Sequence, residues 1–228
     1  EVLTVRADPR SPERGQYGFL QDLVRQVAYE TLSRRDRKEL HLKVAAYLEI
    51  AFGVDQDEIV EVLASHYLEA YRDVPDAEDS EAIKERALQT LTRAGERAAS
   101  LGAAEEGQGY FERGMDMASS ALERADLENR AGVMAARRGL VHSALQRFES
   151  ARAAFAAAGD HRRAAAVEVH LADIDVAQGS IKAGVTRLRA AYDFISGMEP
   201  DETMAVLAAQ LGRMLTLLDQ YEEAGPIL

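Results

Sequence analysis

Apolar positions along most of the chain recur with the period of an α-helix. Leu20, Leu23, Val24, Val27 and Thr31 share one face. Leu40, Val44, Tyr47, Leu48 and Ala51 form a second stripe, and Ile59, Val62, Leu63, His66 and Ala70 a third. Gly53 stands where a helix would end, and Asp55 or Asp57 where the next would be capped. Val74-Pro75-Asp76 breaks the third stripe, and Asp76, Glu78, Asp79 and Glu81 mark an acidic helix start. Residues 1–20 read differently. Two short β-prone runs, 2–5 and 16–19, flank a turn-rich stretch, 8–15, and predict a β-hairpin that needs a surface to pack on. These features give a first segment, 1–75, and a second, 76–228.

The second segment repeats. A small residue is followed 12 positions later by another small residue and 16 positions later by a large apolar one. Gly95/Gly107/Phe111, Gly139/Ala151/Phe155, Ala172/Gly184/Leu188 and Gly212/Ala224/Leu228 fit. The anchors lie 44, 33 and 40 residues apart, and turns are expected at Leu101-Gly102, Leu145-Gln146, Gln178-Gly179 and Leu218-Asp219. The physical logic is close helix packing. The two small residues let paired helices approach, and the large residue fills the space beside them. One such hairpin cannot bury its own apolar face, so hairpins stack into a solenoid of about four.

Composition strengthens the helical reading. The chain of 228 residues holds 40 Ala and 5 Pro, and residues 13–74 and 76–199 contain no Pro. The predicted fold class is all-α, a helical-hairpin solenoid behind a small segment with a short β-hairpin. With 47% apolar and 29% charged residues the chain has the balance of a soluble globular protein. No apolar run reaches membrane-spanning length, and no basic, apolar, small-residue leader is visible, so a cytoplasmic protein is expected. The chain begins at Glu1 and stops in mid-pattern, as expected of a piece of a longer protein.

Little in the sequence carries chemistry. Zero Cys excludes disulfides, thiolate zinc sites and a Cys nucleophile. The five histidines, His41, His66, His142, His161 and His170, show no metal-ligand spacing, so no metal site is expected. His66 reads as a helix-interface residue. No phosphate-cradling Gly-x-x-x-x-Gly-Lys-Ser/Thr and no Gly-x-Ser-x-Gly occurs. No cofactor, no catalytic residue and no enzyme activity are expected of this segment.

Net charge −12 has the wrong sign for a general nucleic-acid binder. One basic cluster stands out: Arg34, Arg35, Arg37, Lys38 and Lys43, net +3 over residues 34–43. It reads as a contact to another domain, a solvated helix face or, less favoured, a phosphate contact. The candidate partner surface is the concave side of the solenoid. Spacing from the small anchors assigns to it Gln89, Thr92, Glu96, Val133, Ala136, Leu140, Val169, Asp173, Val176, Val206, Ala209, Arg213 and Thr216. Mixed and lightly charged, this surface suits a peptide or protein segment.

The small/small/large spacing, in stretches such as Gly139-Leu140-Val141 with Phe148 to Phe155, and Leu211-Gly212 with Asp219 to Ala224, resembles the tetratricopeptide repeat (TPR). The chain departs from it in lacking Trp and most inter-repeat Pro. Residues 17–32 and 34–41, with the preceding 8–15, resemble the segment behind the P-loop module of bacterial STAND-type signalling ATPases, in particular a branch linked to class III adenylate/guanylate cyclases. That resemblance implies a winged-helix-like remnant over 1–75, followed by degenerate TPR hairpins over 76–228. It implies a non-catalytic regulatory module whose partner is a protein, a peptide or the ATPase domain of the same chain. Where many members of that group carry His, this chain has Gln21, which cannot carry charge. The alternative is an effector-sensing or scaffold arm of a helix-turn-helix activator ATPase. The oligomeric state is left open.

Overall fold

The structure, a computed structural model, describes residues 3–5, 17–19, 22–53, 57–225 and 227. The turn-rich stretch 8–15, Leu20, Gln21, Asp55 and Leu228 lie outside the described residues. The chain divides into two compact units, 1–86 and 87–228. The division falls eleven residues after the break at Pro75, inside a helix, because Arg86 still belongs to the first unit. Its guanidinium contacts Glu49 and the Tyr67 hydroxyl, and Tyr67 itself donates to Glu49 at 2.9 Å.

In the first unit, β1 (Leu3–Val5) and β2 (Tyr17–Phe19) pair antiparallel, with Leu3 opposite Phe19 and Val5 opposite Tyr17. Three helices follow: α1 (Asp22–Glu30), α2 (Arg34–Phe52) and α3 (Val60–Asp73), the last entered through a 3-10 turn at Asp57–Ile59. Helix α2 starts where the Ser33 hydroxyl accepts from the Asp36 N–H at 3.1 Å, and stops at Gly53, whose φ of 87° leaves the helical region. Helix α3 buries Val60, Leu63, Ala64, Tyr67, Leu68 and Ala70, so the third stripe supplies the core, although Val62 points outward. The second stripe does not. Among the described residues of α2 only Ala45 is buried; Leu40, Val44 and Tyr47 are exposed. Helical period guarantees that these side chains share a face, not that the face has a partner.

The second unit is built from four antiparallel hairpins: α4 (Ser80–Ser100) with α5 (Ala104–Met117), α6 (Ala121–Arg137) with α7 (Val141–Ala157), α8 (His161–Ala177) with α9 (Ile181–Ile195), and α10 (Glu202–Leu217) with α11 (Tyr221–Ala224). Side chains from successive hairpins merge into common cores. Phe148, Phe155, Val167 and Leu171 form one, and Leu188, Ile195, Leu207, Leu211 and Met214 another.

Two of the four expected anchor sets sit in the expected register, one is displaced, and the last, Gly212/Ala224/Leu228, ends outside the described residues. A Cβ on Gly95 would stand 2.5 Å from the Phe111 ring, and one on Gly107 3.3 Å from the Gly95 carbonyl. A Cβ on Gly184 would likewise lie 3.2 Å from the Ala172 carbonyl. In the second hairpin the packing set is Gly132/Ala144/Phe148, not Gly139/Ala151/Phe155. A Cβ on Gly132 would stand 2.7 Å from Phe148, whereas one on Gly139 would meet nothing within 4 Å. The two sets are seven residues apart, nearly two helical turns, and Ala151 and Phe155 repeat Ala144 and Phe148 at that interval on one buried face of α7. The true anchors stand at 95, 132, 172 and 212, spaced 37, 40 and 40, a steadier repeat than the sequence suggested.

The corrected register also explains the turns. Seven residues after each anchor comes a residue with positive φ: Gly102 (78°), Gly139 (75°), Gly179 (80°) and Asp219 (61°). The next backbone N–H folds back onto the last turn of the helix: Ala103 to Ala98, Leu140 to Ala135, Ser180 to Asp175 and Gln220 to Leu215, each at 2.8–2.9 Å. Leu145-Gln146, expected as a turn, therefore lies inside α7.

Candidate functional site

The first helices of the hairpins, α4, α6, α8 and α10, carry the expected surface. The position immediately after each anchor is occupied by Glu96, Val133, Asp173 and Arg213. Neighbouring first helices are tied by ion pairs at this level: Arg213 to Asp173 at 3.1 Å, and Arg130, one turn earlier on α6, to Glu96 at 2.5 Å. Arg137 adds a bond from α6 to the Ala99 carbonyl of α4 at 2.9 Å.

Between α6 and α8, over α7, this face opens into a cavity of about 300 Å³. Its floor is a stacked pair, the Phe148 ring and the His170 imidazole, with centroids 5.0 Å apart and planes 20° from parallel. Val133, Ala136, Val141, Ile174 and Ala177 form the walls, with Arg137 and Asp173 also lining it. Burial pushes the His170 imidazole below its ordinary value, and the Asp173 carboxylate opposes this in part. At neutral pH the floor is thus uncharged, and the cavity offers an apolar recess with one carboxylate beside it.

Of the predicted surface residues, Val133, Ala136 and Asp173 are brought together here. The others are not. Gln89 is exposed on α4, and Thr92 lines a separate cavity with Leu88, Leu122 and Asp126. Leu140 is in the turn before α7, and Val169 is buried in the last core, against which Val176 also packs. Val206, Ala209, Arg213 and Thr216 are exposed along α10. The misplaced second anchor accounts for Leu140: counting from Gly139 carried the surface past the end of α6. His170 and Phe148, the floor itself, were missed. Their signal is position, for Phe148 is the large residue of the corrected set and His170 lies two before the Ala172 anchor.

The basic cluster is largely neutralised within its own unit. Arg37 Nε donates to Asp73 at 3.0 Å, Lys38 pairs with Asp79, and Lys43 with Glu39 at 3.4 Å. Arg34 and Arg35 are exposed, and Arg34 reaches the Arg72 carbonyl at 3.5 Å.

A second, more open groove of about 780 Å³ lies between α7 and α9 over α8. Alanines floor it, and Arg187 crosses its base, donating to Glu168 at 2.8 Å and Asp175 at 3.0 Å. Among the described residues no cluster of His, Asp and Glu could hold a metal ion, and no helix is long and apolar enough to cross a membrane.

No family model and no curated protein matches the sequence. Solved structures do match the fold. BtubC (BKLC) from P. vanneervenii superposes with a TM-score of 0.61 at 13% identity, over 91% of this chain and 89% of that one. Kinesin light chain TPR-like repeats from Podospora anserina give 0.54 at 14% identity, over 86% and 93%. The chain has a TPR-like fold. A STAND protein with a tetratricopeptide repeat sensor, from Pyrococcus horikoshii, gives 0.51 at 12% identity; 90% of this chain covers 38% of that protein. At such identities the likeness concerns the fold alone.

Proposed function

We propose that this chain is a non-catalytic interaction module that binds a peptide or protein segment on its first-helix face, with one apolar side chain of the partner seated in the cavity over Phe148 and His170. The carrying observation is that cavity. It is mostly apolar, about the volume of a single large side chain with its surroundings, and lies between α6 and α8 on the first-helix face. The absence of catalytic spacing in the sequence agrees with a binding role.

The parent protein we infer is a cytoplasmic multidomain signalling ATPase of the STAND type, linked to adenylate/guanylate cyclase output. Residues 1–75 then are the winged-helix-like remnant behind the ATPase module, and the hairpins are its sensor arm. Supporting this are the residue pattern over 17–41 and the TPR sensor carried by the Pyrococcus STAND protein. A helix-turn-helix activator of the same architecture is the second reading, and the sequence of the gene on either side distinguishes the two. Arg34 and Arg35, the members of the basic cluster not neutralised by a described acidic partner, are the residues we assign to contact with the ATPase domain.

Binding is tested by selecting peptides from a displayed random library on the 228-residue chain and on its Ala136→Arg variant. Ala136 is exposed, so the variant fills the cavity mouth without disturbing the core. Enrichment of sequences sharing one large apolar residue on the parent chain, lost on the variant, is expected. Equal enrichment on both, or none on either, overturns the reading.

A further inference from the structure

Helices α2 and α3 of the first unit meet at a pair of histidines that the binding face does not use. His41 Nδ1 of α2 lies 2.8 Å from His66 Nδ1 of α3, with ring centroids 5.1 Å apart. On its other side, His41 Nε2 lies 2.8 Å from the Tyr29 hydroxyl of α1. Both imidazoles stand on packed faces. Ala45, one turn after His41, is fully buried, and Leu63 and Ala70 flank His66 on one side of α3. We infer that His41 and His66 form a one-proton joint between α2 and α3: the pair holds while at most one of the two rings is charged, and acid that charges both breaks it and destabilises the first unit.

The geometry dictates the sign. The gap between the two Nδ1 atoms has room for one proton. With both rings neutral, one ring donates that proton and the other accepts it, and either order keeps the bond. One added proton is also accommodated. If His41 is the charged ring, its Nδ1–H donates to His66 and its Nε2–H to the Tyr29 oxygen; if His66 is, its Nδ1–H donates to His41. A second added proton is not. Two imidazolium rings bring two N–H donors, and two positive charges, into one 2.8 Å gap. The Tyr29 contact survives, because its hydroxyl oxygen accepts from the Nε2–H of a charged His41, so the break falls between α2 and α3.

The surroundings fix where this happens. Among the described residues, the titratable and charged groups facing the pair are Tyr29 of α1, Arg37 of α2, and Glu69 and Asp73 of α3. Each of the two carboxylates already has a cationic partner, Arg72 at 3.1 Å and Arg37 at 3.0 Å. Burial is the largest influence and pushes both imidazoles below their ordinary value; Asp73 and Glu69 pull His41 partly back, Arg37 pushes it down, and the charge of His41 holds His66 down further. The neutral pair is therefore the resting state at pH 7, and groups coupled this closely take up their protons in two steps that belong to the pair.

The unfolded chain has no such restriction. There each imidazole takes up its proton near the ordinary value of about 6.5. Below that value the unfolded chain holds two protons where the folded pair holds one. The stability contributed by the joint is then fully present above about pH 6.5 and is lost as pH falls toward the second folded-state step. His66 shares its stripe with Ile59, Leu63 and Ala70, and the bond to His41 is what satisfies its ring on that apolar face.

The test is histidine titration of the full chain by NMR, with amide hydrogen exchange between pH 7.5 and 5.0 corrected for intrinsic rates. Each proton taken up only in the open state shifts the opening equilibrium by up to about tenfold per pH unit. His41 and His66 should titrate in two separated steps, and opening of α3 at its buried Leu63 and Leu68 should rise about tenfold between pH 6.5 and 5.0. His66→Asn sets an uncharged amide against His41 Nδ1; it should leave His41 a single step and remove most of the acid response. His41→Asn takes the neighbouring charge from His66 and should raise the His66 midpoint. A single step shared by both rings that neither substitution moves, or an acid response of α3 as large in His66→Asn as in the parent chain, overturns the joint. The test is independent of any partner at the first-helix face.

Discussion

The Phe111 ring occupies the space where any side chain on Gly95 would begin: a Cβ there would stand 2.5 Å from Cε1 and 2.7 Å from Cδ1 of that ring. Phe111 is 2% exposed and cannot swing away without vacating the core. Gly95→Ala should therefore destabilise the second unit by about 1–3 kcal/mol, the usual cost of overpacking, despite alanine being the better helix former. Gly109 on α5 supplies the control, since a Cβ there meets nothing within 4 Å. Gly109→Ala should stabilise by about 0.5–1 kcal/mol. Chemical denaturation of the two variants reads the opposite signs, and equal signs would contradict the packing described.

The same contact shows what a sequence can and cannot disclose. Close packing of two helices leaves a local mark, small residues at fixed spacing, so the hairpins and the Gly95 and Ala172 anchor sets were legible. Where the mark was duplicated, as with Ala144/Phe148 and Ala151/Phe155, spacing alone could not choose, and the positive φ of Gly139 decided it only in the folded chain. The proposed binding face suffered in proportion, for Leu140 and Val169 were assigned to it by counting while Phe148 and His170 were overlooked. The exposed stripe of Leu40, Val44 and Tyr47 marks a different limit. Amphipathic period reports a face, and whether another element covers it is a property of the assembled fold.

His170 should titrate below the ordinary histidine value near 6.5, because burial against Phe148 disfavours its charged form. A folded-state value below the unfolded one means that the unfolded chain takes up the proton first. The stability contributed by neutral His170 is then fully present above about pH 6.5 and is lost as pH falls from there toward the folded-state value. Asp173→Asn removes the carboxylate that favours the imidazolium, so the His170 midpoint should move further down. NMR titration of the imidazole checks both, and an unchanged midpoint in the variant would mean that Asp173 does not act on this ring.

Ion pairs of similar appearance should differ sharply in worth. Arg213 and Asp173 are each about half exposed, and their pairing should contribute no more than about 0–1 kcal/mol. Arg187 is a shared donor to two carboxylates that are mostly shielded, Glu168 at 17% and Asp175 at 20% exposure. Removing its guanidinium takes this partner from Asp175 and leaves Glu168 with Arg152 at 3.5 Å, at a cost of about 1–3 kcal/mol. Thermal unfolding of Arg187→Ala and Arg213→Ala at low and high salt separates the two cases: the first should fall well below the parent chain, and the second should match it within error.

The basic cluster gives the last expectation. Salt-dependent binding to nucleic acid needs several cations free to replace condensed counterions. Here Arg37, Lys38 and Lys43 already face Asp73, Asp79 and Glu39, on a chain of net charge −12. The protein should show no affinity for duplex DNA even at about 50 mM salt, where such contacts are strongest. Asp73→Asn with Asp79→Asn frees two of the cations and removes two negative charges, so weak, salt-sensitive binding should emerge in that variant alone. Fluorescence anisotropy with a labelled duplex measures both. Binding by the parent chain, lost on Arg34→Ala with Arg35→Ala, would show that the exposed pair suffices and that the neutralising contacts are not what silences the patch.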